Sequence, residues 1–350
     1  MNRNFFEKLS ACNPNEQTTS LTVIDGPYIG EKAIVNGGRA VWFSSREGWL
    51  SGHWQEIGEG ADSLIVTHAG VRVFREVCGR PKTIVVMGCG HVGNSIIRAA
   101  KFIGCRVLAI DDRSEFAELA QAAGADEVIC SPFNVALADV KGSPDTFFVV
   151  VTRGHRFDED CLRAVCTKPH AYIGMMGAKR RVAIVKETLR REGIDEAVLA
   201  GVCSPIGLDI RSETPEEIAI AVLAEIIAHK NAHQTIVYPA DIVTAVTGAH
   251  HGTPYSGRMI LCSIVSRKGS APRGVGSRML VMEDGSAVGT IGGGCTEAGV
   301  FEKAHQMFGL DSTETALIRV DLTADEAAEE GEVCGGIVEV LLEKLPAITQ

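Results

Sequence analysis

Thr83-Ile-Val-Val-Met-Gly-Cys-Gly-His-Val-Gly93 settles how the centre of this 350-residue chain folds. Thr83 to Met87 is a short apolar, β-branched run, as a buried parallel strand requires. Gly88, Gly90 and Gly93 follow at once in the spacing G-x-G-x-x-G, and Asn94 to Gly104 (NSIIRAAKFIG) has helical periodicity with a glycine stop. Such glycines let the backbone approach a pyrophosphate, and the helix N-terminus offers free N–H donors. Alone the pattern also fits a tight strand–helix turn that binds nothing. It gains weight from Asp111, which ends the next strand-like run, Arg106 to Ile110, where a ribose-binding acid belongs. Arg113 would suit a 2′-phosphate, or be a solvated surface cation. His91 follows the second glycine and faces either a ligand or solvent.

Outward from this motif, strands and helices alternate. Helix 114–123, strands 127–130 and 146–151, helix 158–167, strand 171–174 and helix 179–192 are predicted in turn. Alternation of this kind implies a parallel sheet covered on both faces, a Rossmann-type domain. Thr214-Pro-Glu-Glu217 then opens a long helix with a capping box. Its Ala/Ile-rich body predicts burial on nearly all sides. Residues 231–256 read as a connector. A smaller α+β part follows: a strand from Met259, a hairpin turning at Glu283-Asp-Gly285, a helix from about Cys295 to Phe308, and strands near 315–320 and 336–342. The first 80 residues read either as a worn copy of it or as a chance likeness between short hairpins. Gly30-Glu-Lys-Ala-Ile-Val echoes Gly276-Ser-Arg-Met-Leu-Val, and Gly70-Val-Arg-Val echoes Gly336-Ile-Val-Glu-Val. The expected class is therefore α/β, with a central Rossmann-type domain (81–230) flanked by smaller α+β domains at both ends (1–80 and 257–350).

Several residue groups could carry chemistry. Thr152-Arg153-Gly-His155 leaves strand TFFVVV at the carboxyl edge of the sheet, where open α/β sheets bind ligands. Arg153 could grip a phosphate with its planar fork. His155 with Asp158 could move a proton, although Asp158 reads better as a helix cap. Lys179, Arg180 and Arg181 open a helix, where acids are the norm, so an anion nearby is indicated unless they form a solvated basic face. Asp209, in the turn Ser204 to Ile210, could face the same crevice. In the last part, Pro272 fixes a turn that presents Arg273, and Gly292, Gly293 and Gly294 place Cys295 at a helix N-terminus, a position that favours the thiolate. Cys334 also adjoins glycines. Thiolates are soft ligands suited to metal–sulfur chemistry, whereas a buried structural thiol is the plainer alternative. Glu297 is a first-turn carboxylate or an acid/base. His229 with His233, His250 with His251, and Cys161 with Cys166 lack metal-ligand spacing, so no metal held by protein ligands alone is expected.

Composition narrows the classes. A net charge of −10 leaves no cationic excess for a nucleic-acid partner. No apolar run reaches membrane-spanning length, and Met1 to Ser10 is mixed polar rather than a secretory signal. With 11 scattered cysteines, a cytoplasmic protein with reduced thiols is expected.

GSAPRGVGSRMLV, DGSAVGTIGGGCTEAGV and CGGIVEVLLEKL resemble the XdhC/CoxI domain, and VVMGCGHVG, IDDRSEF, VVVTRGH, YIGMMGAKRR and PIGLDIRSETPEEIAIAVLAEII resemble the Rossmann domain paired with it. The resemblance covers residues 83–228 and 259–345. It implies a maturation factor for xanthine dehydrogenase, CO dehydrogenase or a related molybdenum hydroxylase. Such a factor binds the molybdenum cofactor (molybdopterin or its dinucleotide form), protects it during sulfuration and passes it on. The implied partners are the apo-hydroxylase, a cysteine desulfurase and a second copy in a homodimer. A cofactor chaperone is expected rather than an enzyme. On this expectation Gly88 to Gly93, Arg153 and Lys179 to Arg181 bind the phosphate or nucleotide end. Arg273, Gly292 to Gly294, Cys295 and Cys334 face the pterin–dithiolene and metal end, with Cys295 in contact with molybdenum. One departure stands out: the family places the XdhC/CoxI domain before the Rossmann domain, and here the motif-bearing part comes after. Two rivals remain, an NAD(P)-dependent oxidoreductase with His155 as proton donor and a nucleotide or redox sensor.

Overall fold

The computed structural model describes residues 3–13, 15–60, 62–231, 235–248, 254–310, 314–321 and 336–347, apart from the side chains of His155, Arg156 and Cys295. Cys334, His233, His250 and His251 lie outside the described residues. Two compact units result: Arg80–His233, and Met1–Gly79 together with Gln234–Gln350.

In chain order the elements begin with α1 (Arg3–Ser10), β1 (Thr18–Val23), β2 (Lys32–Asn36), β3 (Arg39–Phe43), α2 (Trp49–Gly58), β4 (Leu64–His68) and β5 (Val71–Cys78). The middle unit holds β6 (Thr83–Met87), α3 (His91–Phe102), β7 (Arg106–Asp111), α4 (Ser114–Ala122), β8 (Glu127–Cys130), α5 (Phe133–Asp139), β9 (Thr146–Val150) and α6 (His155–Val165). It continues with β10 (Tyr172–Met175), α7 (Lys179–Arg191), α8 (Glu196–Gly201) and α9 (Pro215–Asn231). The chain then forms α10 (Ala240–Thr247), β11 (Met259–Lys268), β12 (Arg278–Met282), β13 (Ala287–Gly289), α11 (Gly294–Phe308), β14 (Thr315–Asp321) and β15 (Ile337–Leu345).

The middle unit is a parallel five-stranded sheet in the order β10-β9-β6-β7-β8. Strand alternation loads its two faces separately. Ile84, Val86, Val107, Ala109, Phe147 and Val149 pack with α3 and α9 on one face. Val85, Met87, Leu108, Ile110, Phe148 and Val150 pack with α5, α6 and α7 on the other. Strand order reverses between β6 and β9, which creates the switch point where such sheets bind ligands. The α9 capping box forms as its sequence predicts: Glu217 N–H donates to Thr214 Oγ1 at 3.3 Å and Thr214 N–H to Glu217 Oε2 at 3.2 Å. Burial of α9 all round does not hold. Ala219, Val222, Leu223 and Ile226 join the core, but Ile220 is 60% exposed, because only one face of the helix meets α3.

The other unit contains two antiparallel sheets, β3-β2-β1-β5-β4 and β13-β12-β11-β15-β14. Each carries a helix between its third and fourth strands, α2 and α11. α2 packs on Leu21, Val23, Ala33, Val35 and Val73, and α11 on Cys262, Ile264, Met279, Val281 and Val340. A sheet with a helix on one face leaves the other face to be covered. Here Ile24, Phe74, Val265 and Leu341 cluster between the two sheets. The expected connector 231–256 holds α10, whose Ile242 and Val246 pack with Phe5 and Phe6 of α1. No helix among the described residues is long and apolar enough to cross a membrane.

Candidate functional site

The three glycines after β6 have different surroundings. Gly88 has φ +104°, and a Cβ there would meet the Val151 carbonyl oxygen at 2.5 Å. At Gly93 a Cβ would meet the Gly88 carbonyl oxygen at 2.0 Å. Both are therefore required by packing of strand, loop and helix. Gly90 has φ −69° and nothing within 4 Å of a Cβ. It is the N-cap of α3 without a side-chain cap, so the first-turn N–H groups are left for another acceptor. His91 beside it is exposed. Cys89 is buried, and burial followed by the Asp111 charge pushes its thiol up to about 12.

The acids behind the loop divide their work. Asp111 is fully buried. It accepts the Cys89 N–H at 2.8 Å and both the Nε and Nη2 of Arg113 at 2.9 and 3.0 Å. It therefore holds the glycine loop in place instead of standing free for a ribose. Arg113 is spent on Asp111 and stacks 3.5 Å over the Phe116 ring. The acid that remains partly open is Asp112. Arg153 donates to it at 2.5 and 2.8 Å and lies 4.4 Å over the Phe157 ring. Hydrogen bonding to Arg153 holds the Asp112 carboxyl below the usual carboxylate range. Asp112 was missed in the sequence; its signal was the Asp111-Asp112 doublet, because a strand turns consecutive side chains to opposite faces. Asp158 is buried, accepts from Thr152 Oγ1 at 2.5 Å and pairs with Arg181, so it ties α6 to the start of α7. Lys179 and Arg180 are exposed there, with no carboxylate partner among the described residues. Asp209 is exposed. Cys161 and Cys166 are buried, and His229 Nε2 lies 3.6 Å from Cys203 Sγ.

The second glycine loop proves to be occupied by its own chain. Gly292, Gly293 and Gly294 all have positive φ, +136°, +73° and +57°. Glu297 Oε2 accepts from Gly293 N–H at 2.8 Å, Ile291 N–H at 3.3 Å and Thr290 Oγ1 at 2.7 Å. Gly292 packs on Pro272, whose Cβ is 3.0 Å from where a side chain would begin, which supports the turn that exposes Arg273. Glu297 is thus a first-turn carboxylate reaching back to fix the loop, and the N–H groups of the triplet do not form a vacant anion cradle. Burial would raise the Glu297 pKa, but its hydrogen bonds from Thr290, Gly293 and Ile291 outweigh burial and hold it low. A carboxyl depressed in the folded state stabilises above its unfolded pKa and loses that contribution as pH falls through its folded pKa. Acidification should therefore lower the thermal midpoint, and Glu297→Gln should lessen that drop. An unchanged slope in thermal melts between neutral and acidic pH would show that Glu297 has no such role.

Residues 84–226 match the XdhC Rossmann domain family, and residues 256–321 match the XdhC and CoxI family. The uncharacterized protein YqeB of Escherichia coli (strain K12) is 30% identical over 181 residues, 51% of this chain and 33% of that protein. A Bacillus subtilis (strain 168) protein described as a probable xanthine dehydrogenase component is 26% identical over 181 residues, 51% of this chain and 53% of that protein. The matches thus span about half or less of these relatives' lengths. A solved structure, described as a xanthine dehydrogenase from Bacillus halodurans, is similar over 63% of this chain and 62% of its own, at 19% identity and a TM-score of 0.48. With both matched segments in one chain, a Rossmann domain followed by the glycine-triplet domain, the protein belongs to the XdhC/CoxI family.

Proposed function

We propose that this chain is an accessory factor in the maturation of a molybdenum hydroxylase of the xanthine dehydrogenase kind. It binds the molybdenum cofactor, assists its sulfuration and delivers it to the apo-enzyme, with a cysteine desulfurase as the sulfur source. The observation that carries this reading is the presence of both family segments in one chain, each with its own glycine loop. The two glycine loops offer different chemistry to a ligand. The open backbone at Gly90 and the uncapped start of α3 suit a phosphate or pyrophosphate. Exposed Lys179 and Arg180 add cationic charge, and Arg153 would join them by leaving Asp112. Glu297 makes the second loop a poor phosphate site and a better match for the hydrogen-donating edge of a pterin. Cys295 follows that loop in sequence, Arg273 lies against it with its Cγ 3.7 Å from where a Gly292 side chain would begin, and Cys295 is the proposed sulfur contact. When bound, the cofactor would supply the metal and its sulfur chemistry, while the chain binds and orients it.

The test is anaerobic purification followed by mass spectrometry of the bound small molecule. A pterin is expected. One charged hydrogen bond is worth about 1.5 kcal/mol, so Lys179→Ala with Arg180→Ala should lower cofactor retention by about tenfold or more. Recovery of a nicotinamide dinucleotide instead, with turnover, would replace this reading by the oxidoreductase one.

A further inference from the structure

The two antiparallel sheets agree in register as well as in strand order. In the first, Thr22 faces Lys32 on one side and Phe74 on the other, and Ser20 faces Ile34 and Glu76. In the second, Ser263 faces Arg278 and Leu341, and Leu261 faces Leu280 and Glu343. Laying β1–β5 on β11–β15 strand by strand therefore places Lys32 on Arg278 and Glu76 on Glu343. The ion pairs run between the sheets. Lys32 Nζ lies 3.0 Å from Glu343 Oε1, and Arg278 Nη2 lies 2.5 Å from Glu76 Oε1. All four side chains are 4% exposed or less. The cation of each sheet thus meets the acid of the other.

The same superposition places Arg72 on Glu339, and these two residues touch each other at 2.7 Å. In a twofold arrangement matching positions meet at the axis, so this contact is what such an axis would produce. The apolar cluster beside them contains matching positions too, Phe74 with Leu341, Ile65 with Leu317, and Ile24 with Val265, joined by Ile29 and Ile236.

We infer that β1–β5 with α2 and β11–β15 with α11 are two copies of one module, docked about a pseudo-twofold axis through a self-complementary dimer interface enclosed in a single chain. In a twofold contact each copy must carry both halves of every pair. The first copy carries Lys32 and Glu76, and the second carries Arg278 and Glu343. Two unrelated sheets that merely covered each other would have no reason to meet that condition. The partner this surface fits is the same module. The glycine triplet belongs only to the second copy, next to α11, and α11 packs on the opposite face of its sheet. At the matching helix start in the first copy, Glu31 Oε2 accepts the Leu50 N–H at 3.0 Å and no triplet is present. The first copy serves as a built-in dimer partner that covers the second copy's open face.

The test reverses both charges of the first copy in the full chain, K32E with E76K. Each copy is then repelled by the other but remains complementary to its own kind in a second chain. The mass by light scattering should double relative to the unmodified chain, and adding R278E with E343K should restore it. A folded double variant of unchanged mass overturns the inference. If the double variant does not fold, neutral double-mutant cycles decide, Lys32→Met with Glu343→Gln and Arg278→Met with Glu76→Gln. Each cycle should show a coupling that shifts the unfolding equilibrium by about tenfold. Coupling confined to one pair, or absent from both, also overturns it.

Discussion

Gly93→Ala is expected to cost about 3 kcal/mol or more of folding stability, the upper range for forcing extra volume into a packed site. The new methyl would sit 2.0 Å from the Gly88 carbonyl oxygen, a backbone atom that cannot swing aside as a side chain would. Gly88→Ala should be comparably harmful, because φ +104° is strained for alanine and the Val151 carbonyl oxygen is 2.5 Å away. Gly90→Ala is the control. It has an ordinary φ and open space, so its stability should fall by no more than about 1 kcal/mol, the order of an altered N-cap. Urea denaturation separates the three variants. If Gly90→Ala keeps its midpoint and loses bound cofactor, the middle glycine is the one that meets the ligand. A native midpoint for Gly93→Ala would mean that α3 does not pack on the loop as described.

That contrast also marks how far the sequence could be read. Thr83 to Gly93 and the alternation after it were legible because a strand period, a glycine spacing and a helix period are local properties. The strand order β10-β9-β6-β7-β8 was not legible in them, since right-handed crossovers narrow the possible orders without choosing where the order reverses. The site was less legible. Asp111 carried the expected ribose contact, but which of two adjacent acids turns inward depends on the loop and on Arg113, neither of which spacing reveals. The glycine triplet suggested a backbone open to a ligand, and only the structure shows Glu297 bonded into it. The echo between Gly30-Glu-Lys and Gly276-Ser-Arg was visible as letters. What the letters could not show is that Lys32 and Arg278 each reach an acid in the other sheet, because that pairing exists only once both sheets have formed.

Arg278→Met is the second large effect, an expected loss of about 3–5 kcal/mol, the cost of leaving one member of a buried ion pair alone. Burial works against the Arg278 charge, but Glu76 keeps the guanidinium firmly protonated. It also donates to the Gly276 carbonyl at 3.0 Å and lies 3.7 Å over the Tyr238 ring. Without it, Glu76 at 2% exposure would be left, among the described residues, with a long 3.5 Å contact from the Tyr238 hydroxyl. Adding Glu76→Leu should recover much of the loss, since an apolar pair of similar volume carries no desolvation penalty. Arg163 provides the opposite case. It pairs with three acids, Glu159, Asp160 and Glu192, yet its side chain is 37% exposed. Water and salt screen such pairs, so Arg163→Ala should change stability by about 1 kcal/mol or less. Chemical denaturation of both variants at low and high salt distinguishes the two situations. If Arg163→Ala proves the more costly, the number of partners outweighs burial here, and the interface between the two sheets contributes less than its geometry implies.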